Sequence, residues 1–278
     1  AAGGLAKRLQ VARNTLFWNR GDDTEPMILS GTSVDTRRVY VSHSEDDGCT
    51  WSPPSEITAA TKLPTWTWYA TGPGAGIQIE NGPHAGRLVM PCDHIEEGGN
   101  DTRLFRSHVL CSDDHGASWQ VGNPAYLGGS ECQAVLLDDG SIMLNMRNER
   151  GRYRAVYTTR DFGKTWKPHV SNRKALIEPN CNGSLIRVDY KEGGQKKHVL
   201  IFANPHTQRG RTHHTIQVSF DDGKSWPKSH HLLLDDGLGA GYPSLTQVDK
   251  KSIGIVYEGS QSHLVYEKVS LKRLLRGK

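Results

Sequence analysis

The amino-acid sequence predicts an all-β fold of the β-propeller kind, and three observations carry that expectation. A short motif recurs four times, a strand-like run precedes each copy, and no segment reads as an amphipathic helix of helical length.

The motif is compact. "SEDDGCTWS" begins at Ser44, "SDDHGASWQ" at Ser112, "TRDFGKTWK" at Thr159 and "SFDDGKSWP" at Ser219. All four fit Ser/Thr-x-Asp-x-Gly-x-Ser/Thr-Trp without insertion or deletion, and copies recur every 47 to 68 residues (44 to 112, 112 to 159, 159 to 219). A four-stranded sheet with its turns takes about 40–50 residues, so this period marks radially repeated sheets. Within each copy the Asp and Ser/Thr can bond backbone groups of their own turn. The Gly supplies a positive φ, and the Trp is expected between neighbouring sheets. The motifs are therefore read as turns that fasten blades, not as catalytic elements.

The runs before the motifs are "RRVYVSHS", "RSHVLCS", "YRAVYTT" and "HHTIQVS", each β-branched or aromatic-rich and partly alternating. Further apolar runs, "GRLVMPC", "AVLLDDGSIMLNMR", "HVLIFAN" and "SIGIVYEG", are bounded by Gly, Asp and Asn.

Bulk properties narrow the function. The 278 residues, 36% hydrophobic and 23% charged, suit a soluble globular protein and are read as one domain, 1–278. A net charge of +4, with scattered Lys and Arg and no nucleic-acid motif, sets DNA and RNA aside. No run approaches the roughly 20 apolar residues of a membrane span, and "AAGGLAKRLQVARN" lacks the apolar stretch of a signal peptide. The five cysteines, Cys49, Cys92, Cys111, Cys132 and Cys181, have no CxxC spacing; unpaired core thiols are expected, and no metal site. Asn100 and Asn182 head glycosylation sequons, which matter only in a secreted eukaryotic protein.

The motifs are Asp boxes, found in sialidases and in several unrelated propellers. The stretch "RRVYVSHSEDDGCTWSPPSEIT…WYATGPGAGIQI…GRLVMPCDH…SDDHGASW" resembles the second and third blades of a bacterial-type exo-sialidase, and the resemblance runs over about residues 12–272. It implies a six-bladed propeller acting on terminal sialic acids of glycoconjugates, with no metal or organic cofactor. A sialic acid bears a carboxylate on its anomeric carbon. That anion is best held by planar guanidinium groups, and it would repel a carboxylate nucleophile, so sialidases use a Tyr. A neighbouring Glu takes the phenol proton, since a tyrosine with a pKa of about 10 is a poor nucleophile until deprotonated.

Residue by residue, "SECQAVLLDDGSIMLNMRNERG" resembles the family segment that makes Glu131 the base and Arg147 a clamp arginine. The two stand at opposite ends of a hairpin turning at "DDG", which would bring both to one mouth of the propeller. "NPHTQRGRTHHTIQVSFDDG" assigns a further clamp arginine to Arg211 rather than Arg209. "GAGYPSLTQVDKKSIGIVYEGS" makes Tyr242 the nucleophile, although "YPSL" departs from the common "YSDL". Glu258 matches a glutamate that orients the first clamp arginine. Trp68, Tyr69, Asp93, His94 and Asn182 fall where family members line the sugar pocket.

The family's first blade has no counterpart here: neither its Arg-Ile-Pro nor its acid/base aspartate is found before the first box. "WNRGDDTEPM" offers Arg20, Asp22 and Asp23 but matches a different loop. The N-terminal blade is thus expected to be incomplete or missing. Without that aspartate, proton delivery to the leaving group would fall by about 10²–10⁴-fold. The substrate class favours a secreted or periplasmic protein, and a monomer is expected. The competing reading is a degenerate propeller that binds sialoglycans without cleaving them, and a trans-sialidase would share every assigned residue.

Overall fold

The computed structural model describes residues 9–12, 15–18, 37–96, 104–261 and 264–277. Arg20, Asp22, Asp23 and Asn100 lie outside them. The described residues are almost all strand and turn, with only a few short helical segments such as Thr58–Thr61 and Leu271–Arg276.

Four antiparallel sheets follow one another along the chain as propeller blades. The first is built on Trp66–Ala70, Leu88–Glu96 and Arg106–Ser112, with short flanking strands. The second runs Gly129–Leu136, Ile142–Asn148, Ala155–Thr159 and Lys167–Pro168. The third runs Ser184–Glu192, Gln195–Pro205, His214–Ser219 and His231–Asp235. The fourth has Pro243–Asp249, Ser252–Tyr257 and Val265–Ser270.

Strand alternation explains how the blades stack, because successive side chains point to opposite faces. Along the second blade, Ala134, Leu144 and Met146 pack with Val89 and Val109 of the first. Their neighbours Val135 and Met143 pack with Leu185, Leu200 and Phe202 of the third. Val199 and Ile201 of the third turn the other way, onto Leu245, Ile253 and Ile255 of the fourth. Inner strands buried on both faces read in sequence as nearly continuous apolar runs, as "SIMLNM" does.

The four Asp boxes share one hydrogen-bond pattern. Ser44, Ser112, Thr159 and Ser219 each donate to the box Asp at 2.8 Å and accept from the Gly N–H at 2.8–2.9 Å. Each Asp also accepts from the backbone N–H and the hydroxyl of the Ser/Thr four residues on, at 2.8–2.9 and 2.6 Å. These bonds hold the carboxyls of Asp46, Asp114 and Asp161 down at about 2.

Several expectations need correction. The residue before each box Gly also has positive φ: Asp47, His115, Phe162 and Asp222 lie at +55° to +58°. Trp226 is 9% exposed, but Trp51 is 63% exposed and packs between no sheets. "RRVYVSHS" forms only Tyr40–Val41, paired with Ser55–Glu56, since a strand persists only as far as it has a partner. All five cysteines are free, yet Cys49 is exposed and not a core thiol. Asn182 is 2% exposed, which leaves its sequon no room for a glycan.

Candidate active site

The blade ends away from the boxes converge on a cleft of about 610 Å³ lined by Trp68, Asp93, Glu131, Arg147, Arg211 and Tyr242, among others. A larger cavity of about 960 Å³ opens at the other end, among the hairpin turns around Gly140 and Lys251. Size does not identify the site. The smaller cleft holds the hydroxyl–carboxylate–guanidinium contact described next.

Local backbone irregularities aim the key side chains. The pairing of Gly129–Leu136 with Ile142–Asn148 shifts register between Gly129 and Cys132, so Ser130 and Glu131 together face Arg147. Such a bulge re-aims a side chain out of the regular alternation. Tyr242 follows Gly241, whose φ is +93°; a Cβ there would meet Pro205 at 2.8 Å and Cys181 at 3.2 Å, so only glycine fits. Beneath the cleft lies an ion pair, Arg154–Glu178 at 2.8 Å, with both side chains fully buried. Glu178 accepts from the backbone N–H of Asn148 at 2.6 Å, and Arg154 donates to Asn145 Oδ1 at 2.7 Å and Cys181 O at 2.9 Å. Together they pin the strand end that carries Arg147.

Tyr242 Oη donates to Glu131 Oε1. Arg147 Nη1 donates to Glu131 Oε2 at 2.9 Å and to Tyr242 Oη at 3.2 Å. Burial, then the Glu131 carboxylate, pushes the Tyr242 phenol well above its ordinary value. Burial would weaken the Arg147 charge, but the Glu131 and Glu149 carboxylates outweigh it and hold the guanidinium above its usual range. Arg211 donates to Ala240 O at 2.8 Å, with its guanidinium 5.4 Å from the centre of the Tyr242 ring. Arg209 is exposed and does not line the cleft. Glu258 Oε2 accepts from the Tyr242 backbone N–H at 3.3 Å.

The expected sugar-pocket residues separate. Trp68 and Asp93 line the cleft, with the indole N–H donating to Asp93 Oδ1 at 2.9 Å. Burial raises the Asp93 carboxyl well above the carboxylate range, an effect the Trp68 bond only partly offsets. Tyr69 and His94 are 5% and 0% exposed and stack on Trp66 within the core, not on the cleft. The reason is the period of two: each follows a cleft residue and so points the opposite way. Asn182 is also buried away from the cleft lining.

Sequence reading missed Arg37, whose guanidinium lies 3.6 Å from the centre of the Trp68 ring, and it missed Glu149 and Asn180 beside Arg147. Proximity in sequence to Arg147 was the only available signal for Glu149. Among the described residues one group has metal-ligand chemistry, Asp138, His198 and Asp222. It stands outside the cleft, and both His198 ring nitrogens already face carboxylates, at 3.2 and 2.8 Å.

Comparison with known proteins places the chain in a family. Residues 25–257 match the family of BNR repeat-like domains. The chain is 42% identical over 241 residues to a sialidase of Bacteroides fragilis, covering 87% of this chain and 43% of that one. It is 35% identical to a sialidase of Micromonospora viridifaciens, covering 85% and 35%. Among solved structures, Hadza microbial sialidase Hz136 superposes with a TM-score of 0.81 at 38% identity, over 92% of this chain and 49% of that one. The chain therefore spans half or less of the length of these three relatives.

Proposed function

The chain belongs to the bacterial-type exo-sialidase family built on BNR repeats, and from that premise we propose that it cleaves terminal α-linked sialic acids from glycoconjugates. The observation that carries the reading is the joint contact of Tyr242, Glu131 and Arg147, contributed by two blades that are not sequence neighbours. The proposal extends to a six-bladed ring, closed beyond the four described blades, that works as a monomer.

In the proposed reaction Arg147 and Arg211 hold the sugar carboxylate by charge-assisted hydrogen bonds. The Tyr242 O–H proton passes to Glu131 as the phenolic oxygen attacks the anomeric carbon. The bond to the aglycone breaks, its electron pair leaves on the aglycone oxygen, and that oxygen is protonated by an acid not assigned to any described residue. Because burial and Glu131 disfavour a free phenolate, deprotonation and attack are concerted in this account. Water then attacks the anomeric carbon and loses a proton to the conjugate base of that same unassigned acid. The bond to Tyr242 breaks as Glu131 returns its proton to the phenolic oxygen, and the anomeric configuration is retained. Two displacements at one carbon require that outcome. Asp93, whose carboxyl burial pushes above the carboxylate range, stands in the cleft wall beside Trp68, where the sugar would sit.

The test is hydrolysis of a fluorogenic sialoside by this chain, with Tyr242→Phe alongside. Activity abolished by the substitution supports the reading; activity that survives it contradicts the mechanism. Binding of sialic acid without any turnover would favour the glycan-binding alternative. Product analysis with a galactoside acceptor separates hydrolysis from transfer.

A further inference from the structure

We propose that Glu149 and Asn180 are positioning residues that hold Arg147 while Glu131 gives up its charge; the inference rests on the roles given above to Tyr242 and Glu131. Arg147 is gripped from two sides. Its Nη1 meets Glu131 and Tyr242, whereas its Nε donates to Asn180 Oδ1 at 2.7 Å and stands 2.9 Å from Glu149 Oε1. The second grip is the more buried one: the Glu149 side chain is 4% exposed, against 17% for Glu131.

Glu149 is itself fixed by donors. Ser130 Oγ reaches Glu149 Oε1 at 2.8 Å, and Asn180 Nδ2 reaches Oε2 at 2.9 Å. Asn180 therefore bridges, accepting from the arginine and donating to the carboxylate. Its φ of +60° is a conformation that asparagine adopts more readily than most residues. Among the described residues Arg147 Nη2 makes no hydrogen bond, so that edge is left for a ligand carboxylate.

The need for a second grip follows from the proton transfer. When the Tyr242 proton reaches Glu131, the O–H bond breaks, its electron pair stays on the phenolic oxygen, and Glu131 becomes a neutral acid. The Glu131–Arg147 ion pair is then lost at the moment the arginine must hold the substrate. Glu149 takes no part in that exchange and supplies the counter-charge throughout.

The test needs no turnover. In ¹⁵N-edited NMR the Arg147 Nε–H is identified by its absence in Arg147→Lys, and its exchange with water is measured in each variant. Glu131→Gln, which mimics the neutral acid, is expected to leave exchange within about threefold of the parent, while Glu149→Gln and Asn180→Gly each speed it at least about tenfold. Glycine accepts the positive φ at 180, so that variant isolates the lost side chain. Affinity for free N-acetylneuraminic acid is expected to fall at least about fivefold in both and to recover in Glu149→Asp. Fast exchange in Glu131→Gln, or unchanged exchange in both Glu149→Gln and Asn180→Gly, overturns the proposal. A parent that binds no sialic acid overturns the functional reading instead, and the exchange rates still decide what holds Arg147.

Discussion

Tyr242 and Glu131 lie 111 residues apart, in the fourth and second blades, yet the phenol of one donates directly to the carboxylate of the other. Arg147 bonds both. In the proposed mechanism this contact offsets the burial that disfavours ionisation of the phenol, since a proton acceptor is already in place.

The base is the first point to test. Glu131→Gln keeps the shape and removes the proton acceptor, so kcat is expected to fall by about 10²–10⁴-fold with a smaller change in KM. Steady-state kinetics on a fluorogenic sialoside measures this. An unchanged kcat would remove Glu131 from the mechanism.

The buried pair beneath the cleft should matter for stability. Arg154→Met leaves the Glu178 carboxyl at 0% exposure without its counter-charge, keeping only the Asn148 N–H, at an expected cost of about 3–5 kcal/mol. Urea denaturation reads the loss directly. A cost below about 1 kcal/mol would mean that the pair is easily replaced.

The four boxes, alike in hydrogen bonding, should differ in stability. Trp226→Ala removes a buried ring that packs on Phe202, at an expected cost of about 3 kcal/mol. Trp51→Ala changes an exposed side chain and is expected to stay within about 0.5 kcal/mol. Paired denaturation curves settle the comparison.

The sequence carried the repeat, the blades and the two segments whose Tyr242 and Glu131 meet in the cleft, because each sits in a contiguous motif of fixed spacing. It did not reveal which of two adjacent residues faces the cleft. Trp68 and Tyr69, like Asp93 and His94, differ only in phase along a strand, and an unseen neighbouring sheet fixes the phase. Glu149 and Asn180 escaped for another reason. Their contact spans 31 residues between the second blade and the approach to the third, and no local pattern encodes it.

The core histidines set a pH dependence. Burial depresses His94 to about 2 and His108 to about 3, against about 6.5 for an unfolded chain. The unfolded state then binds more protons below that value, so their contribution is complete above pH of about 6.5 and is lost as pH falls toward 3. His94→Gln is expected to be less stable at neutral pH, with a shallower fall in Tm between pH of about 6.5 and 4. Parallel Tm–pH slopes in parent and variant would contradict this.

The central claim is that Tyr242 bonds covalently to the sugar, and trapping with a fluorinated sialosyl fluoride tests it most directly. Fluorine beside the anomeric carbon slows breakdown of the adduct more than its formation, so intact-protein mass spectrometry followed by peptide mapping locates the attachment. One sialosyl adduct on the peptide containing Tyr242, absent from Tyr242→Phe, is the expected result. Turnover of an ordinary sialoside with no adduct, or an adduct on any other residue, would contradict the mechanism.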